Sequence, residues 1–469
     1  MNLHERRPAL LLFVSLCMLP VAADAQIFPN ESIVDTAVGY PADAVSGDFN
    51  NDGAIDLVVI EGSSGNLMGY VYPGAPGLGF GPRVPLDLSQ LPAPARLLVG
   101  DFVTDGFVDI VVFDTISGAT LLFPNLGALT FGPPILGSGS GFTTDAVAAD
   151  FNGDGALDYL TPLTIAQAGA IRYGDGVGGF SAGPVLPMVG FPRAVTLGDL
   201  NGDGAVDLVF GMDAGGGGGF QVRLNDGFGS WPTTTFLGGT QSATSLLPGD
   251  YNNDGHLDIA GTTVGFNAVF LALGDGLGGL SVVVNQWVGS EAFGGVSADF
   301  NSDGNLDVAV FPSVSEIQLY SGDGLGALTL AETIPTTGAP LQGVAEDLDG
   351  DGDYDIATTS IFQGQVGRVA FYENSTLAGG TAFVRGDANV DGTWNLADPI
   401  KVLGFLFSSE PLDCESAADA NDDEGINLAD VVYSLTQLFA SGPPFPTPTT
   451  CGTDPTSGSL SCAGFAACP

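Results

Sequence analysis

Short apolar runs alternate with clusters of Gly, Asp and Asn along most of this chain. Residues 146–186 show the unit. An apolar run at 146–149 leads into a polar loop, and a second run at 157–160 leaves it. A third run comes at 170–173, then the Gly-rich turn 174–179, then a fourth run at 180–186. Val, Leu, Ile and Phe in runs of this length, bounded by turn residues, predict strands. Gly at the turns supplies the positive φ that tight hairpins need.

The loop between the first two runs, residues 150–158, has the form Asp-x-Asn-x-Asp-Gly-x-x-Asp. It offers oxygen donors at positions 1, 3, 5 and 9: Asp150, Asn152, Asp154 and Asp158. Alternate donors around a sharp Gly turn converge on one centre, and such a hard oxygen set predicts Ca²⁺. Six further copies occur. Their donors are Asp48, Asn50, Asp52 and Asp56; Asp101, Asp105 and Asp109; Asp199, Asn201, Asp203 and Asp207; Asp250, Asn252, Asp254 and Asp258; Asp299, Asn301, Asp303 and Asp307; and Asp347, Asp349, Asp351 and Asp355. Seven copies with donors at fixed positions favour metal sites over ordinary Asp/Asn/Gly turns. Their number makes them joints of a scaffold rather than one catalytic centre.

The copies start 48 to 53 residues apart. A period near 50 with strand content predicts an all-β, seven-bladed β-propeller, with one four-stranded blade per repeat. The seventh repeat lacks a good fourth strand, whereas residues 27–38 precede the first motif like a detached one. This N-terminal strand is expected to complete the last blade and close the ring.

These loops, with Phe80-Gly81-Pro82, Phe131-Gly132-Pro133 and Ala182-Gly183-Pro184, resemble the FG-GAP (VCBS) repeats of integrin-α-type propellers over roughly residues 26–378. The resemblance implies that each loop joins the first two strands of a blade and binds Ca²⁺. The copies differ. Val103 stands where the second loop should have its third-position donor, so that site is expected to be the weakest. The seventh has Asp349 at position 3 and an additional Asp353 at position 7, so more anionic oxygen predicts tighter binding. His256 occupies position 7 of the fifth loop, where the backbone carbonyl is the expected ligand and the side chain should face solvent.

After a linker at 379–384 the pattern changes to a small all-α calcium-binding module at 385–441. A twelve-residue loop offers Asp387, Asn389, Asp391, Asn395 and Asp398, with Gly392 at position 6. A second copy, 32 residues on, offers Asp419, Asn421, Asp423, Asn427 and Asp430. Both have EF-hand spacing with Asp at position 12. Helices are expected over 396–407 and 428–439. The paired loop–helix units resemble a type I dockerin, which implies attachment to a cohesin-like partner. Positions 10 and 11, often Ser/Thr in that family, are Leu396-Ala397 and Leu428-Ala429 here. Arg385-Gly386-Asp387 spells an integrin-ligand tripeptide, but Asp387 already serves the first loop. Cys414 within the module and Cys451, Cys462 and Cys468 in the Pro-rich tail 442–469 are expected to form two disulfides of open connectivity. An irregularly spaced zinc cluster is the alternative reading.

Charge and composition narrow the function. The net charge of −44 opposes nucleic acid and anionic membranes as partners. Residues 1–25 read as a secretory signal, with Arg6 and Arg7 before an apolar stretch and Ala23-Asp24-Ala25 at its end. No later run is long and apolar enough to cross a bilayer. The remainder has one His (His256), one Lys (Lys401) and seven Arg. A uronate lyase needs cations and a base, and such residues are scarce here. Tyr and Arg side chains could still form a catalytic site, for example Arg172 with Tyr173; cross-strand packing is the competing reading. The expectation is therefore a secreted or cell-surface, non-enzymatic, Ca²⁺-binding propeller that contacts an extracellular protein or glycan and is tethered by its C-terminal module. The alternative is a secreted carbohydrate-active enzyme, a polysaccharide lyase or hydrolase, with a docking module.

Overall fold

The computed structural model describes residues 27–28, 31–61, 67–75, 79–139, 141–213, 218–240, 243–263, 267–362, 366–374, 383–408, 410–412, 414–421, 425–440, 442, 444–446 and 449. The expected signal at 1–25, Asp423, Cys451, Cys462 and Cys468 lie outside these residues, as does most of the 379–384 linker.

Seven four-stranded antiparallel sheets form the body of the chain. The third blade has strands Val147–Ala149, Asp158–Leu163, Ala168–Gly174 and Phe180–Pro187, in that spatial order. The first strands of successive blades contact one another around a closed circuit. They are Pro41–Gly47, Pro94–Gly100, Val147–Ala149, Phe191–Gly198, Ala243–Gly249, Ala292–Ala298 and Ala339–Glu346. The expected all-β seven-bladed propeller is the observed architecture. Because the strands alternate in direction, the Asp loops and the turns between third and fourth strands share one face. The hairpins between second and third strands, and the connections between blades, share the opposite face.

Burial explains the strand sequences. Every residue of the second strands Asp56–Glu61, Asp109–Asp114, Asp158–Leu163, Asp258–Thr263 and Asp307–Pro312 is buried. They are covered on both sides by neighbouring blades, so they read as continuous apolar runs rather than alternating ones. The outermost strands, such as Leu328–Pro335, keep only scattered buried positions. Between blades pack mixed clusters such as Phe49, Val58, Leu97 and Val112. Buried carboxylates tie inner strands together as well. Asp43 accepts the Leu97 N–H from the next blade at 2.8 Å, and Asp145 accepts that of Val195 at 2.9 Å. Burial raises both carboxyls, Asp145 to about 6, with Arg96 opposing the rise. Six of the inner strands carry a register shift near their start, for example between Pro192 and Ala194 and between Ala292 and Gly294. Such bulges re-aim side chains at the mouth of the ring.

The ring closes as the sequence predicts. Strand Glu31–Val38 pairs antiparallel with Val366–Tyr372 as the fourth strand of the seventh blade. Glu31 accepts hydrogen bonds from the Thr337 N–H and the Tyr372 hydroxyl, and Asp35 pairs with Arg83 of the first blade at 2.5 Å. Phe28 is buried edge-on against Phe300. One strand thus joins blade seven to blades six and one, and removes a free sheet edge.

A helical module follows the propeller along the chain. It holds helices α1 (Ala397–Ser408), α2 (Glu415–Ala418) and α3 (Leu428–Ala440). The helical runs at 396–407 and 428–439 are borne out to within a residue; the short α2 has no counterpart among the expected elements. Ala388, Val402, Ala418 and Val431 form a common core. Arg385 is 1% exposed and donates to the Asp419 carbonyl at 2.8 Å, so it is an internal cross-link between the two loops. The Arg385-Gly386-Asp387 tripeptide is therefore no exposed ligand. Cys414 is buried and disulfide-bonded. Among the described residues no helix is long and apolar enough to cross a membrane.

Removing Phe28 from its buried site by Phe28→Ala is expected to cost about 3–5 kcal/mol. Deleting residues 26–38 should lower the melting temperature further and broaden the transition in scanning calorimetry. Unchanged melting of both variants would show that the strand does not lock the ring.

Candidate metal centres

Each nine-residue loop is built by its own carboxylates. The position-1 Asp accepts two backbone N–H groups, from positions 5 and 6, in all seven copies; for Asp150 these are Asp154 at 3.1 Å and Gly155 at 2.8 Å. This wraps the backbone around the carboxylate. The wrap needs positive φ at two positions. Gly at position 6 was expected, and it has φ near +90° in the third loop, at Gly155. Position 4 is also left-handed in every copy: Asn51, Thr104, Gly153, Gly202, Asn253, Ser302 and Gly350. The motif read from sequence leaves that position open, although its Asn and Gly content was the available signal.

The position-9 Asp does something different. Asp56, Asp109, Asp158, Asp207, Asp258, Asp307 and Asp355 are each fully buried at the start of a second strand. One carboxylate oxygen accepts the N–H of position 2 in the same loop. The other accepts an N–H at the end of the third strand. For Asp158 the donors are Phe151 at 2.9 Å and Gly174 at 2.8 Å. The same pair of bonds recurs in all the other blades. Each carboxylate therefore latches three strands of its blade. A carboxylate offers about four acceptor sites, so these bonds leave lone pairs free for a cation.

The cost is electrostatic. Burial pushes Asp158 up to about 6 and Asp307 and Asp355 up to about 7, with repulsion from the loops' other carboxylates adding to it and the backbone N–H groups opposing it. Asp56, Asp109, Asp207 and Asp258 are raised for the same first reason.

The loops differ at position 3 in a way that bears on cation fit. In the third, fourth and fifth, the amide NH₂ of Asn152, Asn201 or Asn252 donates to the second carboxylate oxygen of the position-5 Asp at 2.8–3.0 Å. In the seventh, Asp349 has no such donor. Asp351 Oδ2 is buried without a hydrogen-bond partner, and oxygens of Asp347, Asp349 and Asp355 lie within 4.8 Å of one another. Burial and the neighbouring Asp351 push Asp349 up to about 6. This donor set fits a divalent cation, which would supply the missing positive partner. A cleft of about 440 Å³ lies beside it, between residues 52–55 of the first loop and 347–350 of the seventh. In the second loop Val103 instead packs with the core cluster around Phe102, and the loop keeps its wrap through Asp101. His256 is exposed, as expected.

The first C-terminal loop repeats this construction. Asp387 accepts the N–H groups of Asp391 at 3.2 Å and Gly392 at 2.8 Å, and Val390 and Gly392 have positive φ. Asp398, at position 12, accepts the Asn395 N–H at 2.7 Å and, by burial first, is pushed up to about 6. In the second copy Asp430 accepts from Ala420 at 3.0 Å and Asn427 at 2.8 Å, and burial with repulsion from Asp419 pushes it up to about 6. Asn421 and Asp419 belong to the same loop. Among the described residues, Asp347, Asp349 and Asp355 of the seventh loop are the acidic positions whose oxygens converge to within 4.8 Å of one another.

Arg172 and Tyr173 are consecutive on one strand, so their side chains point to opposite sides. The Arg172 guanidinium reaches the Gly139 carbonyl at 3.4 Å. The pair does not converge into a site.

Four stretches of the chain, residues 48–112, 101–161, 199–261 and 299–358, match the FG-GAP-like repeat. No curated protein matches the sequence. Among solved structures, BBS1N in complex with ARL6DN is similar at a TM-score of 0.50, with 11% identity for a crystal soaked with lead and 10% for one soaked with mercury; each match covers 74% of this chain and 96% of that one. An Agrocybe aegerita lectin described as recognising non-reducing terminal N-acetylglucosamine shares 21% identity at a TM-score of 0.48, over 64% of this chain and 81% of its own.

In metal-free buffer the raised latch carboxyls set the pH dependence. Their folded pKa lies above the unfolded value of about 3.9, so the fold binds protons more tightly than the unfolded chain. That contribution is complete below about pH 4 and is lost as pH rises through 6 to 7. Chelator-treated protein should therefore melt at progressively lower temperature from pH 5 to pH 8. Asp158→Asn should cost about 1–3 kcal/mol at pH 8, because the amide can accept only one of the two N–H groups.

Proposed function

This chain belongs to the FG-GAP-like repeat family, and from that premise we propose an exported, non-catalytic propeller whose blades are stapled by Ca²⁺ and which binds an extracellular glycan or protein. The observation that carries the binding reading lies on the face opposite the Asp loops. Tyr40, Phe142, Phe191, Trp287 and Phe293 are exposed there, at the starts of inner strands, the connections between blades and the end of an outer strand. Aromatic side chains are enriched at interfaces, and their flat apolar faces suit sugar rings and protein side chains alike. Arg193 and Phe293 sit at the register shifts of their inner strands, and Arg193 pairs with Asp213 at 3.2 Å.

Calcium is supported by the seventh loop, where three carboxylates converge and Asp351 Oδ2 lacks a donor. In this reading the ions bind at the nine-residue loops and in the two C-terminal loops. They act as structural counter-charges, with the loop around Asp347 the tightest and that around Asp101 the weakest. Extracellular modules of this type bind Ca²⁺ at about 10⁻⁴–10⁻³ M.

The tethering part of the proposal rests on the C-terminal helices. Leu396, Ile400 and Phe407 are exposed, and so are Leu428, Val432 and Phe439, their counterparts 32 residues on. Spacings of four and seven place each trio along one helix face. Two equivalent apolar stripes on a dockerin-like module are what a cohesin-like partner would cover.

Millimolar Ca²⁺ should raise the melting temperature by several degrees and abolish the decline between pH 5 and pH 8. Asp349→Asn should weaken the tightest site in calorimetric titration and leave the others unchanged. No Ca²⁺-dependent shift would refute the stapling. A glycan array run with wild type and with Phe191→Ser/Phe293→Ser should lose its signal in the variant. Turnover of a polysaccharide in a lyase and hydrolase screen would replace the binding reading by the enzymatic one.

A further inference from the structure

Blades three to six present a second feature on the Asp-loop face. Their turns between third and fourth strands have one construction: Asp175 to Gly179, Asp226 to Ser230, Asp275 to Gly279 and Asp323 to Ala327. The backbone closes from the first residue's N–H to the fifth residue's carbonyl, at 3.0–3.2 Å. The Asp carboxylate accepts the N–H groups of the third and fifth residues at 2.8–3.0 Å. The second position is Gly at positive φ in each turn. The turn is therefore rigid, and the third residue stands at its apex.

That third residue is Val177, Phe228, Leu277 or Leu325, and these are 73–87% exposed. Nothing local requires an apolar side chain there, because the N–H capping and the glycines define the turn whatever the apex carries. One exposed Leu is ordinary; the same position made large and apolar in four adjacent blades is a patterned surface. The apices lie beside the Asp loops. Thr104 Oγ1 of the second loop donates to the Gly176 carbonyl at 2.6 Å, and Gly278 N–H donates to the Leu200 carbonyl of the fourth loop at 3.0 Å.

The surroundings specify the partner's charge. These four turns and the loops 150–158, 199–207, 250–258 and 299–307 contain no Lys or Arg. Each of these blades sets two loop carboxylates and one turn carboxylate on this face, with the buried latch carboxylate beneath them. A divalent cation in the loop leaves an excess of negative charge. The N–H bonds hold Asp226, Asp275 and Asp323 below the ordinary carboxyl range, so the turn charges are permanent at neutral pH. Like charge excludes a second copy of the same face and disfavours an anionic lipid surface.

We propose that this arc is a docking surface for a cationic amphipathic protein segment, whose apolar side chains seat on the apices of blades three to six while its Lys or Arg residues meet the surrounding carboxylates. The surface is separate from the aromatic mouth and from the C-terminal helices, and it does not depend on what either binds.

The test uses the full chain in Ca²⁺ buffer and a labelled 18-residue Leu/Lys amphipathic peptide, followed by fluorescence anisotropy. A Leu/Glu peptide of the same pattern and neutral phosphatidylcholine vesicles are run in parallel. The variant Phe228→Ser/Leu277→Ser/Leu325→Ser changes no charge and only exposed positions, and its unchanged melting temperature confirms the fold. Wild type should bind the Leu/Lys peptide, the triple variant at least tenfold more weakly, and the Leu/Glu peptide should not bind. Phe191→Ser/Trp287→Ser, on the opposite face, should leave peptide binding intact. Equal binding by wild type and triple variant would reduce the effect to bulk charge and overturn the proposal, as would no binding at all. Vesicle binding that the triple variant loses would overturn it in favour of a lipid surface.

Discussion

The buried Asp at the start of each second strand is the constraint on which the ring depends. Its two oxygens accept one N–H from its own loop and one from the far end of the third strand. First, second and third strands are thereby fixed at one end of the blade by a single side chain. Charge-assisted bonds of this kind are about twice as strong as neutral ones. They are also formed in a buried place, where the carboxylate's charge is costly. The other acidic groups of the loop sharpen that cost, and in the seventh loop oxygens of Asp347, Asp349 and Asp355 lie within 4.8 Å of one another. A cation there would turn that repulsion into attraction.

The same backbone device serves two unrelated settings. In the propeller the wrap around the position-1 Asp delivers the chain into a buried strand. In the C-terminal module the wrap around Asp387 delivers it into α1, with Val390 and Gly392 repeating the two left-handed residues. The next residues along the chain decide between strand and helix. A position-9 Asp continued by Leu-Val-Val-Ile suits a doubly covered strand. A position-12 Asp continued by a helix-forming stretch suits a helix start, where its buried carboxylate accepts the Asn395 N–H. The motif sets a turn and a donor set, and its continuation sets the architecture.

Ring closure distributes the load between distant parts of the chain. Glu31 reaches Thr337 and Tyr372, and Asp35 reaches Arg83, so residues separated by some 300 positions share one blade and its neighbours. With every inner strand packed between two others, both faces of the ring are left to loops. One face has exposed aromatic side chains; the other has carboxylates interleaved with apolar apices.

Much of this was legible in the sequence. The repeat spacing and turn chemistry determined blade number, loop placement and the donor positions, because these depend on local backbone rules and on a period counted along the chain. The detached strand at 27–38 was legible from what the seventh repeat lacked. The helical runs were legible from their apolar spacing. Tertiary structure decided the rest. Only packing of blades against one another buries both sides of the second strands and raises the carboxyls of Asp307 and Asp355. The exposure of Val177, Phe228, Leu277 and Leu325 was equally invisible, since an apolar residue in a turn reads alike whether it is covered or not. Burial and charge depend on neighbours from other blades, and the chain alone carries no record of how far apart those neighbours end up.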